Sequence, residues 1–272
     1  MPTAADIARD LRDEQDSLDV IVATLSDERW ALATPSPSWT IADHIGHLRY
    51  FDGAAAMAIT DVGTFLPHRD SFMNEAISSP TVADELTLSG TRAMSPAQLL
   101  DHWREGRRLL QGAAATLADD TRIEWYGPSM GSKSFLTARL MEAWAHGQDI
   151  VDTIGVERES TDRLRHIAQL GVITRGWSYL NRGLTPPEGE VRVVLAAPSG
   201  AEWVWGDSEV ADRVEGAADE FCLVVTQRRN IADTELIIEG DLARDWLGRA
   251  QAFAGPATNG PAPMPSAPKA AK

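Results

Sequence analysis

A chain of 272 residues, 43% hydrophobic and 24% charged, is long enough for one large domain or two ordinary ones and can bury a sizeable core. Its formal net charge of −15 leaves no basic footprint for a phosphate backbone, which argues against nucleic acid as a partner. A lone Cys222 excludes an internal disulfide, the charged N-terminal run lacks an apolar leader, and no stretch approaches the ~18 apolar residues of a membrane span, so the expectation is a cytoplasmic protein acting on small molecules.

From Thr3 to about Leu32, apolar residues at Ile7, Leu11, Leu18, Ile21, Val22 and Leu25 recur at helical spacing and predict one long amphipathic helix. Prolines at 35 and 37 end it. Thr40 followed by Asp43 imitates a capping box and starts a second helix, running to about Thr60 and carrying His44 and His47. Residues 63–94 are less regular: Phe65-Leu66-Pro67 predicts a loop, and 70–77 and 82–88 predict short helices. Ser95-Pro96 is an N-cap with proline at the first helical position, opening a third long helix with Leu99, Leu100, Trp103, Leu109, Leu110 and Leu117 on its apolar positions. A loop rich in Gly, Ser and Pro (125–132) leads to a helix from about Ser134 to Ile154, and a further helix is expected from Thr161 to about Leu180.

After Thr185-Pro186-Pro187 the period changes. Val191, Val193 and Leu195 alternate as in a strand, Pro198-Ser199-Gly200 reads as a turn, and Trp203 and Trp205 share one face of the next strand. A helix from Ala217 to about Arg228, a strand over 235–239 and a last helix to Phe253 complete a small α+β domain. The fold class expected is therefore α+β: a helical domain over 1–184, a smaller α+β domain over 185–254, and a Pro/Ala-rich tail over 255–272 with too little to bury to be ordered.

Chemistry concentrates in two of these helices. Of six histidines, His68 and His102 lack a partner at chelating spacing, and His166, between Arg165 and Ile167 on a charged helix, is expected to be exposed. Glu142 and His146, four apart, lie one above the other on a helix, with Asp149 three residues on. A carboxylate and an imidazole so placed can share one metal ion, as the paired histidines of H-E-x-x-H do. Side chains of facing helices in an up-and-down bundle can converge on one centre, so a histidine from the helix carrying His44 and His47 would complete a three-ligand site with an open position. Spacing alone does not choose between His44 and His47. Cys222, in the apolar run 221–225, reads as core rather than nucleophile.

The stretch Ser38-Trp39-Thr40-Ile41-Ala42-Asp43-His44-Ile45-Gly46-His47-Leu48 resembles the W-[ST]-x-x-D-x-x-x-H-L signature of the DinB-like metal-binding four-helix superfamily. In particular it is similar to the N-terminal domain of mycothiol-dependent maleylpyruvate isomerases. That resemblance implies His47 as the first metal ligand and, through E-x-x-x-H, Glu142 and His146 as the others. The second half resembles the sterol-carrier-like C-terminal domain of the same family, in a wyosine-base-formation-like version. The resemblance covers roughly residues 5–253; the segment 63–94 departs from it. It implies an up-and-down four-helix bundle, an active site between the domains, and an arginine of the second domain facing the metal cleft, for which Arg228 is the nearest match. His44 is expected either to line the cavity beside His47 or simply to pack there, Asp149 either to orient a ligand or to be a solvated acid near the helix end, and Trp39, Trp144, Trp203 and Trp205 simply to pack in the core.

The expectation that follows is a metal-dependent enzyme, with Zn²⁺ favoured and Ni²⁺, Co²⁺ or Fe²⁺ compatible with the same donors. It would use a low-molecular-weight thiol, mycothiol by resemblance, in an isomerase or S-transferase reaction on a small electrophile. Two other classes fit the same ligands: a thiol-independent metal hydrolase, lyase or cyclase, and a non-catalytic metal or small-molecule binding protein.

Overall fold

In the computed structural model, which describes residues 2–76 and 79–265, reciprocal caps decide where three long helices begin. Thr3 and Asp6 cap α1 (Ala4–Val22), each side chain accepting from the other's backbone. The helix expected to continue to Leu32 breaks after Val22. There Thr24 Oγ1 bonds the Ile21 carbonyl at 2.8 Å, and the chain resumes for one turn as α2 (Asp27–Trp30). That turn places Trp30 in a core with Leu18, Val22, Ile41, Ile45, Leu48 and Trp103. Thr40 and Asp43 cap α3 (Ile41–Thr60) as the sequence predicts.

The described part of the segment 63–94 is almost entirely helical. Pro67 lies inside α4 (Val62–Ala76), not in a loop. Asp61 anchors the start of α4 by accepting from Thr64 N at 3.1 Å and Thr64 Oγ1 at 2.8 Å. Phe65 is fully buried and stacks on Trp125 with centroids 5.7 Å apart. An interior proline costs ~3 kcal/mol, and burying a phenylalanine returns about as much. The two short helices expected here are the end of α4 and the middle of α5 (Pro80–Arg92); Ile77 lies outside the described residues. Gly46 lets α3 approach α5 closely, since a Cβ there would sit 2.6 Å from Thr91 Oγ1.

α6 (Pro96–Ala114) starts at the Ser95–Gln98 capping box and buries Leu99, Leu100, Trp103 and Leu110. Leu109, expected among them, is 49% exposed because it lies one residue, about 100°, around the helix from Leu110. A two-stranded ribbon that the sequence did not announce, β1 (Arg122–Ile123) and β2 (Met130–Gly131), leads into α7 (Ser132–Ile154). Within this unit α3 lies along α6 and α7, and α1 along α7. Among the described residues no helix is long and apolar enough to cross a membrane.

The chain divides into two compact units at Met1–Arg158 and Glu159–Lys272, so the division falls earlier than the 184/185 boundary read from the sequence. The reason lies in α8 (Leu164–Ile173), which packs on α10 (Ala218–Val225) of the second unit. At the crossing a Cβ on Gly171 would be 2.8 Å from Val225 and 3.1 Å from Phe221. The single helix expected over 161–180 is interrupted at Thr174, whose Oγ1 bonds the Leu170 carbonyl at 2.7 Å, before α9 (Arg175–Leu180). A four-stranded sheet follows in the order β4-β3-β5-β6, from β3 (Arg192–Ala196), β4 (Glu202–Trp205), β5 (Arg213–Ala217) and β6 (Ile237–Glu239). Val193 and Leu195, opposite Trp205 and Trp203, turn the apolar face of the hairpin inward as the alternation predicts. The last helix, α11 (Asp241–Leu247), is shorter than expected. Residues 255–265, expected to be disordered, are bonded to this unit: Gln227 Nε2 donates to the Thr258 carbonyl at 2.8 Å and Met264 N to Asp233 at 3.0 Å. Residues 266–272 lie outside the described residues.

Candidate metal centre

The periodicity of α3 explains the placement of its histidines. Ile41, Ile45 and Leu48 are fully buried, which turns the intervening His44 and His47 toward α7. α7 is buried on most of its circumference, so His146 and Asp149 are buried against α3 side chains while Glu142 beside them is partly exposed. Ligand atoms of His47, Glu142 and His146 all lie within 4.8 Å of one another. His146 Nε2 is 3.1 Å and His47 Nε2 3.6 Å from the same Glu142 oxygen. Of the two α3 histidines, His47 therefore shares the Glu142 side.

Burial, reinforced by the neighbouring His146, pushes the His47 imidazole down from 6.5 to about 4, so at neutral pH it offers a bare lone pair. Burial works the other way on Glu142, but the two imidazoles beside it hold that carboxyl well below its ordinary value. An ionised carboxylate, a neutral imidazole and a second imidazole facing one point form the donor set of a three-ligand zinc site. The residues present fit a divalent ion.

Of the two places open to His44, it takes the packed one. It is fully buried behind His146, not beside His47 in a cavity, and its Nδ1 meets His146 Nδ1 at 2.8 Å. Its Nε2 is 2.8 Å from Thr34 Oγ1. Asp149 lies 3.8 Å from His44 Nδ1 and accepts from Ser36 Oγ at 3.3 Å. His44, His146 and Asp149 thus make a second, wholly buried cluster within 4.8 Å that shares His146 with the first.

Three contributors escaped the sequence reading. Trp39, read as plain core, sets its ring 5.2 Å from His44 and His47 and stacks on His146 at 5.7 Å. Its place at the head of the W-[ST] signature was the available signal. Thr34 sits among the prolines that end the first helical segment and carried none. Arg139, one turn before Glu142, is buried, bonds Asp52 at 3.1 Å and lies over the Phe51 ring, which in turn packs on His47 at 4.6 Å.

In the second unit Arg228 does not end a helix. α10 stops at Val225, Gln227 takes a positive φ of 59°, and Arg228 Nη1 donates to the Thr226 carbonyl at 2.7 Å. Cys222 is buried, and burial pushes its thiol well above the ordinary range, so it is core as predicted.

A family model described as the mycothiol maleylpyruvate isomerase N-terminal domain matches residues 11–151, which include all the clustered side chains of the first unit. Two uncharacterized proteins of Mycobacterium tuberculosis, from strains CDC 1551 / Oshkosh and ATCC 25618 / H37Rv, are each 45% identical over 251 residues, covering 92% of this chain and 96% of theirs. Crystal structures of the mycothiol-dependent maleylpyruvate isomerase and of a histidine-to-alanine mutant of it share the fold. Both have a TM-score of 0.53 over 84% of this chain and 90% of theirs, at 17% and 15% identity.

Proposed function

The chain belongs to the mycothiol maleylpyruvate isomerase N-terminal domain family, and from that premise we propose that it is a metal-dependent enzyme whose His47, Glu142 and His146 hold one divalent ion, Zn²⁺ by preference. A small thiol, mycothiol by family likeness, is its cosubstrate, and the reaction is an isomerisation or S-transfer on a small electrophile. The observation that carries this reading is the convergence of two imidazoles and one carboxylate from α3 and α7 within 4.8 Å. When bound there, a divalent ion with a free coordination position holds a thiol as thiolate near neutral pH. The protein's own part is to keep the donors aligned and water out: Trp39 stacks over His146, and Phe51 packs on His47. Cys222 cannot supply the nucleophile, which supports an external thiol. Arg228 enters as a substrate-binding residue through the family likeness only.

The test is comparative turnover of the metal-loaded full chain on maleylpyruvate and other small unsaturated acids, with and without mycothiol, beside His146→Ala. The reading predicts turnover only with both metal and thiol, and none in the variant. Equal rates without thiol would replace it with a thiol-independent metal enzyme. Tight ligand binding without turnover under either condition would make it a binding protein.

A further inference from the structure

The second unit holds a cavity of about 340 Å³ whose lining residues all belong to that unit, a volume within the usual range of a small-molecule site. Val172, Pro186, Val191 and the Trp205 ring give it apolar walls. Two donors in the same lining lack what they need. Arg175, the first residue of α9, donates Nη1 to the Gly189 carbonyl at 2.7 Å and Nη2 to the Pro187 carbonyl at 3.4 Å, so its guanidinium is held in place by neutral groups. Among the described residues it has no carboxylate partner, and its Nε–H is buried without an acceptor. Trp246 is 1% exposed and its indole N–H also lacks an acceptor, whereas that of Trp205 donates to Gln169 Oε1 at 2.7 Å. A buried donor with no partner is costly, and a cation against apolar walls more so. Both call for an acceptor that carries negative charge.

Acids of the same unit do not supply it. Asp245 is engaged by the Tyr179 hydroxyl at 2.8 Å and by Arg249. Glu190 lines the cavity, but it is exposed and makes no ion pair with Arg175. We propose that this cavity binds a small monocarboxylate with a flat apolar body, the carboxylate taken by the Arg175 guanidinium with the Trp246 indole N–H as second donor, and the body packed on Trp205 and Val191. A planar guanidinium meets a carboxylate with parallel N–H bonds, and the flat tryptophan ring suits a flat ligand. Glu190 sets selectivity: a second carboxylate on the ligand would meet its charge, so dicarboxylates are turned away. The site lies apart from His47, Glu142 and His146 in sequence and needs no metal.

The probe is phenylacetate, titrated into the ¹⁵N-labelled full chain beside its uncharged isostere phenylacetamide and the dicarboxylate phenylmalonate. One phenylacetate should bind per chain and move the Trp246 indole N–H resonance, identified by its loss in Trp246→Phe. Phenylacetamide should bind ~10–100-fold more weakly, the worth of hydrogen bonds to a charged group. Arg175→Met should bring phenylacetate down to the level of the amide. Arg175 also holds the 187–189 turn, so the wild-type comparison of acid with amide isolates the charge without any variant. Glu190→Gln, an exposed change, should admit phenylmalonate. Equal affinity for acid and amide, an unmoved Trp246 resonance, or no saturable binding of phenylacetate would each overturn the site. Phenylmalonate still refused by Glu190→Gln would overturn the selectivity assigned to Glu190.

Discussion

Inside the first unit Glu14, Asp19, Asp52, Arg107 and Arg139 are buried along with His44, His146 and Asp149, whereas among the described residues of the second unit the buried polar side chains are the uncharged Ser178, Thr226 and Gln251. A buried charge costs several kcal/mol unless it is paired. Asp52 takes bonds from Arg139, Gln15 and Trp103, and Asp19 from Arg104 and Arg107. Glu142 is different. Its close neighbours are imidazoles, one of which is held neutral, so the fold fixes no permanent cation against it. Asp19 and Asp52 are thus held by guanidinium cations fixed in the fold, whereas Glu142 is met by imidazoles. Among its described residues the second unit buries no charged side chain, and burial keeps its Cys222 thiol protonated.

The largest test of that contrast is Arg139→Met. It strands the Asp52 carboxylate and should cost ~3–5 kcal/mol, lowering the melting temperature by roughly 10 °C. Replacing Asp52 by Leu as well should return most of the loss, because the pair is then removed together. In the second unit Cys222→Ala should cost only ~1–2 kcal/mol. Equal losses from the two single variants would end the distinction between the interiors.

A smaller effect separates the metal side from the rest of the first unit. The folded His47 imidazole is lowered to about 4 from 6.5, so the unfolded chain takes up its proton first as pH falls. The contribution of His47 is complete above pH 6.5 and is lost as pH drops toward 4, a change on the order of 1–3 kcal/mol in the metal-free protein. Denaturant melts at pH 7.5 and 4.5 should show that loss in the wild type and a reduced one in His47→Asn. An identical pH dependence in both would take His47 out of the buried cluster. Smallest is Thr40→Ala, which removes the cap of α3 and should cost ~1 kcal/mol without changing metal affinity. A large drop in affinity would tie the α3 cap to the site.

Where residue type and local spacing decide the structure, the sequence was readable. The Thr40–Asp43 and Ser95–Gln98 caps start helices as expected, and the alternation at Val193 and Leu195 gives a strand. Where tertiary burial overrides local preference it was not: Phe65 carries a helix through Pro67, and α8 turns to Val225 and Phe221 instead of the helical half. The same holds in the site. Glu142 and His146 share one helical stripe and His47 lies in a recognisable signature, so all three were legible. The true place of His44 depends on a rotation of α3 that buries Ile41 and Ile45, and Thr34 reaches it from a segment with no motif. Contacts across that distance in sequence leave no local pattern.

The central claim is tested most directly by anomalous diffraction from crystals of the full chain loaded with Zn²⁺. The account predicts one zinc peak, ~2.0–2.2 Å from a His47 nitrogen, His146 Nε2 and a Glu142 oxygen, with His44 Nδ1 still bonded to His146 Nδ1. A peak between His44 and Asp149, or no peak near Glu142, would contradict it.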